Sequence, residues 1–124
     1  MTVLLVGLGG FAGAVARYLI DGWVTSHVRD GFPWGTFVIN MGGSFAVGVL
    51  FGLAIERTIL PADIRAPLMI GFIGAYTTFS TLMLETWRLW ETGAHVPALL
   101  NVIGSSVVGI VAVVAGLAMA RGLA

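Results

Sequence analysis

Hydrophobic positions fall into four long blocks, at about residues 2–24, 33–55, 66–89 and 96–120, separated by short polar stretches. Each block exceeds the roughly 20 residues that a helix needs to cross a bilayer's hydrocarbon layer. Backbone groups find no water there, so helices are the expected form. The polar stretches "DGWVTSHVRDGFPW", "ERTILPADIRAP" and "RLWETGAHVP" are short and hold most of the charges. Pro33, Pro67 and Pro97 stand near the starts of spans, where a missing N–H costs little. Trp23, Trp34, Trp87 and Trp90 fall near span ends, as headgroup anchors do. The pattern predicts an all-α membrane protein, a single four-helix transmembrane domain over residues 1–124 with both termini on one side.

Composition strengthens this reading. The 124 residues are 58% hydrophobic and 10% charged, with a mean hydropathy of +1.01. A soluble domain carries about a quarter charged residues, so this chain cannot cover its own surface with polar groups. The first block lacks a basic segment before Val3 and its pattern returns three more times, so it is expected to be a span and not a cleaved signal peptide. The formal net charge is zero, which gives nucleic acid no purchase. With no cysteine, thiol chemistry is excluded. His27 and His95 fall in expected loops and form no metal site. No nucleophile–base pair or phosphate loop points to an enzyme; "GLGGFAG" at 7–13 lies inside a span, with no strand before it.

The arginines are nearly balanced across the membrane. Arg57, Arg65 and Arg121 fall on the terminal side; Arg29 and Arg88 fall opposite, joined by Arg17 if it reaches the interface. The positive-inside rule then leaves two readings: a weak bias that decides, or dual topology with copies paired antiparallel. Small residues four apart, Gly9 and Gly13 or Gly48 and Gly52, allow close helix packing. Four spans leave little room for a pore inside one subunit, so oligomerisation is expected.

Polar residues inside the blocks are the candidate chemistry. "GAYTTFSTLML" (74–84) puts Thr77, Thr78, Ser80 and Thr81 near the bilayer centre, after Gly71 and Gly74. Either each hydroxyl bonds its own helix four residues back, or the helix breaks and frees carbonyls to hold a cation. Asn40, in the second block, is interhelical glue or a donor to a passing anion. Asn101 and Ser105 share a face, and Glu85 is either interfacial or a costly buried acid. No full positive charge sits at the centre of any block. A crossing ion must be met by hydroxyls, amides and the positive edges of aromatic rings, which suits a small anion.

Three stretches carry a resemblance: "GGFAGAVARY" (9–18), "GTFVINMGGSFAVG" (35–48) and "GFIGAYTTFSTLMLE" (71–85). Together they resemble the Fluc/CrcB fluoride channels over nearly the whole chain. That resemblance implies an antiparallel, dual-topology dimer with two narrow pores, in the bacterial plasma membrane, releasing fluoride passively. It implies a third helix broken near its middle, with Gly74 and Thr77 giving carbonyls to a structural sodium ion on the dimer axis. Asn40, Phe79, Thr36, Thr81 and Ser105 match pore or near-pore positions, and Arg17 matches the arginine of the first motif. The partners implied are fluoride, lipid and a second subunit, identical or homologous. The chain departs from the pattern at Leu82, in place of a second pore phenylalanine, and at Asn101, in place of a tyrosine. These departures suggest one half of a heterodimer, or a non-conducting partner subunit. A small proton-coupled multidrug antiporter is the competing class; it requires a carboxylate in mid-span, whereas the first span has only Asp21 near its end, and Glu85 is the only remotely similar candidate.

Overall fold

The structure is a computed structural model, and it describes residues 1–122. Helix α1 spans Thr2–His27. Helix α2 covers Trp34–Phe51 and continues as a wider, π-type turn over Gly52–Glu56. Helix α3 (Ala62–Ala66) runs through a second π-type segment, Pro67–Ile73, into α4 (Gly74–Tyr76). Helix α5 is Phe79–Glu91. Helix α6 (His95–Leu99) passes through a third π-type turn, Leu100–Gly104, into α7 (Ser105–Gly122). Four helical runs, 2–27, 34–56, 62–91 and 95–122, are therefore long and apolar enough to cross a membrane. The third run starts about a turn earlier than the hydropathy pattern suggested, because α3 forms within the polar stretch. His27 closes α1 and His95 opens α6, so both belong to helix ends and not to loops.

Two helix pairs form the body. Helix α1 lies against the 67–73 segment and α4, and α2 lies along α7. Both seams depend on glycine. A Cβ on Gly13 would strike the Phe72 carbonyl, and one on Gly71 would strike the Val6 carbonyl. In the other pair, Gly48 faces the Val113 carbonyl and Gly116 the Phe45 carbonyl in the same reciprocal way. Such approach brings backbones into contact and replaces the hydrophobic drive that lipid does not supply. Pro67 widens the third run: it offers no N–H, and its ring crowds the preceding turn.

The connections are tight. Asp30 accepts from the Phe32 N–H at 3.0 Å and from the Trp34 indole at 2.9 Å, closing the first loop beside Gly31 at φ 87°. At the opposite end Arg121 grips Glu56 through Nε (2.9 Å) and Nη2 (2.8 Å). Arg57 donates to the Ala120 carbonyl at 2.9 Å, and so caps the end of α7. The four tryptophans all sit at the end that holds the 28–33 and 92–94 connections, away from the termini.

The interior is thin. Ile39 and Asn101 are the largest fully buried side chains, and only 6% of the α1 window is buried within the chain. Phe11, Leu19, Trp23 and many other apolar side chains point outward, as they can where the solvent is itself apolar.

The seams make a direct test. Gly13→Val should cost about 1–3 kcal/mol by overpacking against backbone that cannot retreat. Gly7→Ala, where a Cβ meets nothing within 4 Å, should be neutral. Thermal unfolding of the detergent-extracted protein, followed by size-exclusion chromatography, distinguishes the two.

Candidate functional site

Two extended residues separate α4 from α5. Thr77 has φ −81° and ψ 158°, and Thr78 has φ −149° and ψ 113°. In an unbroken helix the Thr78 N–H would bond the Gly74 carbonyl and the Thr81 N–H the Thr77 carbonyl. Both donors go elsewhere. The Thr78 N–H donates to Asn40 Oδ1 at 2.8 Å, and Asn40 Nδ2 donates to the Thr78 carbonyl at 3.0 Å. The carboxamide thus acts as a second peptide group and satisfies both polar atoms of residue 78. The Thr81 N–H donates to Thr78 Oγ1 at 3.3 Å, which caps α5 in the manner of any N-terminal threonine. Thr78 Oγ1 in turn donates to Thr81 Oγ1 at 3.0 Å. Gly43 makes room: a Cβ there would collide with the Thr77 methyl.

The hydroxyls divide into two groups. Thr77, Thr86 and Ser106 bond back to the carbonyl four residues earlier, those of Ile73, Leu82 and Val102. Thr78, Thr36 and Ser105 do not. Thr36 donates to Glu85 Oε1 at 2.9 Å, tying α2 to α5. Asn101 Nδ2 donates to Thr86 Oγ1 at 2.9 Å. Glu85 Oε2, Asn101 Oδ1 and Ser105 Oγ are buried without a protein partner.

Cavities flank the two extended residues on both sides. One, of about 450 Å³, is lined by Asn40, Thr77, Thr78, Phe79, Leu82 and Ser105 among others. The other, of about 400 Å³, is lined by Arg17, Asp21, Thr36, Thr78 and Thr81. Thr78 lines both. The candidate residues are thus divided between two hollows: Asn40, Phe79 and Ser105 on one side, Arg17, Thr36 and Thr81 on the other. Phe79 is 73% exposed and projects away from the chain's own core. Leu82, buried at the same hollow, brings an aliphatic wall and no ring edge. Arg17 Nη1 lies 3.5 Å from the Thr77 carbonyl, at the outer limit of a hydrogen bond.

Two polar positions noted in the sequence take roles that it did not assign. Thr78 is the residue whose peptide is exchanged with Asn40; its signal was a hydroxyl placed one residue before a helix restart. Glu85 meets Thr36 across 49 positions of sequence, a pairing that no local pattern encodes.

The carbonyls of Gly74 and Thr77 leave the helical ladder, since the N–H groups that would reach them are bonded elsewhere. Neutral carbonyl oxygens are hard donors, a chemistry that suits an alkali cation. Among the described residues no group of three or more histidine, cysteine or acidic side chains gathers to hold a metal.

Residues 4–117 match the family described as "CrcB-like protein, Camphor Resistance (CrcB)". The chain belongs to this family. A protein of Geobacter metallireducens named "Fluoride-specific ion channel FluC" is 40% identical over 99% of both chains. One of the same name from Geobacter sulfurreducens is 40% identical over 98% of both. A third, from Methylococcus capsulatus, is 44% identical over all of this chain but only 54% of its own length. These relatives carry the name of an ion channel and not of an enzyme. Family and helices together make the chain a multi-pass membrane protein.

Asn40→Ala should destabilise the protein by about 1–3 kcal/mol, because the Thr78 N–H and carbonyl lose their partner inside the bilayer. Asn40→Asp should not recover that loss, since a carboxylate has no hydrogen to offer the Thr78 carbonyl and its charge is costly at membrane depth. Thermal melts in detergent, wild type against each variant, measure the difference.

Proposed function

We propose that the chain is a fluoride-specific channel subunit, through which fluoride leaves the cytoplasm passively and loses its toxicity. The observation that carries the reading is the polar seam at Thr78: two hydrogen-bonding hollows meet at one residue in the middle of an apolar span. Relatives that match nearly the whole chain bear the name of a fluoride channel.

The chemistry suits the ion. Fluoride is small and accepts hydrogen bonds strongly, so a path for it needs donors without trapping charge. Asn40 spends one amide hydrogen on the Thr78 carbonyl and keeps one. Ser105 lines the same hollow, and its buried Oγ has no protein partner. The exposed Phe79 ring offers a positive edge. On the far side Thr81 Oγ1 accepts from Thr78 and keeps its own hydrogen to donate, while Thr36 spends its hydrogen on Glu85. An interior-negative potential drives an anion outward by about 2.3 kcal/mol per 100 mV.

In this reading the third span is broken at residues 77–78, and the subunit pairs antiparallel with a second one. Near-balanced arginines and the thin interior support that pairing. Gly74 and Thr77 would hold a structural sodium ion through their freed carbonyls, where it would join the two subunits. The second subunit is identical or homologous. Leu82 and Asn101 favour a homologous one, because neither offers the aromatic edge or phenol that a matching pore would use.

A second reading rests on Glu85. Its Oε2 is buried without a partner, as a proton-coupled antiporter's carboxylate would be. Proteoliposomes loaded with fluoride decide between the two. Addition of a potassium ionophore should release fluoride to an electrode without proton movement. Ser105→Ala should slow release by about ten-fold, the loss of one donor worth about 1.4 kcal/mol. Replacing sodium by a large organic cation during purification should weaken the dimer on size-exclusion chromatography. Absence of fluoride release, alone and with a homologous subunit, removes the channel reading. Proton-coupled uptake of a cationic dye, lost in Glu85→Gln, would install the antiporter.

A further inference from the structure

Most hydroxyls inside the spans are already engaged. Thr77, Thr86 and Ser106 each bond the carbonyl four residues back, and Thr36 bonds Glu85. Ser44 does neither. Its Oγ has no hydrogen-bond partner among the described residues, although the Asn40 carbonyl stands four residues back on the same helix. Ser44 follows Asn40 by one turn of α2, so the two share a face, and both line the 450 Å³ hollow. Met41, Val47 and Met69 give that hollow apolar lining. Gly109, buried one turn beyond Ser105 on α7, shows where Ser44 points. Elsewhere on this helix pair, backbone contact requires glycine: a Cβ on Gly48 or Gly116 would strike a carbonyl. A Cβ on Gly109 would meet only Met41 Cε at 3.5 Å and Ser44 Oγ at 3.6 Å, both ordinary contacts. Packing therefore does not require a glycine at 109. What its missing side chain leaves is a gap beside an unpartnered hydroxyl.

We propose that Ser44 is a further ligand of the transported anion, donating its hydroxyl into the gap that Gly109 leaves. The inference rests on the fluoride-channel reading for the identity of the ion. A hydroxyl without a partner in an apolar span is costly, and water or an ion in the hollow is what remains to pair it. Helix α2 rises about 6 Å from Asn40 to Ser44. The spare amide hydrogen of Asn40, Ser105 Oγ and then Ser44 Oγ are thus successive donors toward the face that holds the termini. An ion that passes must be bound well enough to enter and weakly enough to leave. A serine without a competing acceptor meets both demands, because its hydrogen is free and it carries no charge. Ser106 lines the same hollow but has spent its hydrogen on the Val102 carbonyl.

The test is a rescue. In fluoride-loaded proteoliposomes, with a homologous subunit if release requires one, Ser44→Ala should slow release by roughly five- to ten-fold, the effect of losing one donor. Its melting temperature should match that of the wild type, because no bond within the chain is lost. Ser44→Thr keeps the hydroxyl and should keep most of the release. Gly109→Ser added to Ser44→Ala should restore release, since a hydroxyl on residue 109 opens into the same gap, whereas Gly109→Ala should restore none. Release by Ser44→Ala at the wild-type rate overturns the proposal. So does a slowing that neither Ser44→Thr nor Gly109→Ser repairs, which would make the residue structural. A second measurement needs no fluoride. The chain has no native cysteine, so Ser44→Cys carries a single thiol. Silver ion should block it at least roughly ten-fold faster than the thiol of Ile110→Cys, on the exposed apolar flank of α7. Equal rates would mean that no wet gap exists beside residue 44, and would overturn the proposal even in a conducting channel. A wild type that releases no fluoride removes the channel reading and this ligand with it; a conducting wild type with an indifferent Ser44→Ala removes the ligand alone.

Discussion

The exchange of hydrogen bonds between Asn40 and the Thr78 peptide is the constraint on which the rest depends. A backbone N–H and carbonyl outside a helix at membrane depth cost several kcal/mol each when unpaired. One carboxamide on α2 satisfies both, at 2.8 and 3.0 Å. The helical ladder can then stop at Tyr76 and restart at Phe79, with Thr78 Oγ1 capping the restart. The carbonyls of Gly74 and Thr77 are released as a consequence.

The glycine seams serve this arrangement. Gly43 admits the Thr77 methyl, so α2 can come close enough for Asn40 to reach residue 78. Gly13 and Gly71 hold α1 on the other side of the same run, where Arg17 approaches the Thr77 carbonyl. Backbone contact on one flank and a side-chain bridge on the other fix the extended residues between two hollows. A chain with so thin an interior has few other means of positioning polar groups, because apolar side chains gain nothing by preferring protein to lipid.

The polar residues form a gradient of commitment. Thr77, Thr86 and Ser106 are absorbed by their own helices. Asn40 and Thr78 are committed to each other. Ser105 Oγ and one oxygen of Glu85 are buried with no protein partner among the described residues, and the side chains of Arg29 and Arg88 likewise have none there. The residues of the last group all line hollows.

Hydropathy alone determined four membrane-length helices, because a block of more than 20 apolar residues has one economical conformation in lipid. The cluster at 77–81, the candidate Asn40 and the stripe of small residues were legible for the same reason: polar or small groups in hydrocarbon stand out. Composition left open whether a given hydroxyl bonds its own helix, since Thr77 and Thr78 are the same residue type side by side and do opposite things. Only tertiary structure decided that, by bringing Asn40 from 38 positions away to one threonine and not the other. The pairing of Thr36 with Glu85, and the meeting of Arg29 with Arg88 at one hollow, were settled at the same level. Hydrogen bonds between distant segments depend on the angle and depth at which helices cross, and those follow from glycine contacts that no local periodicity specifies.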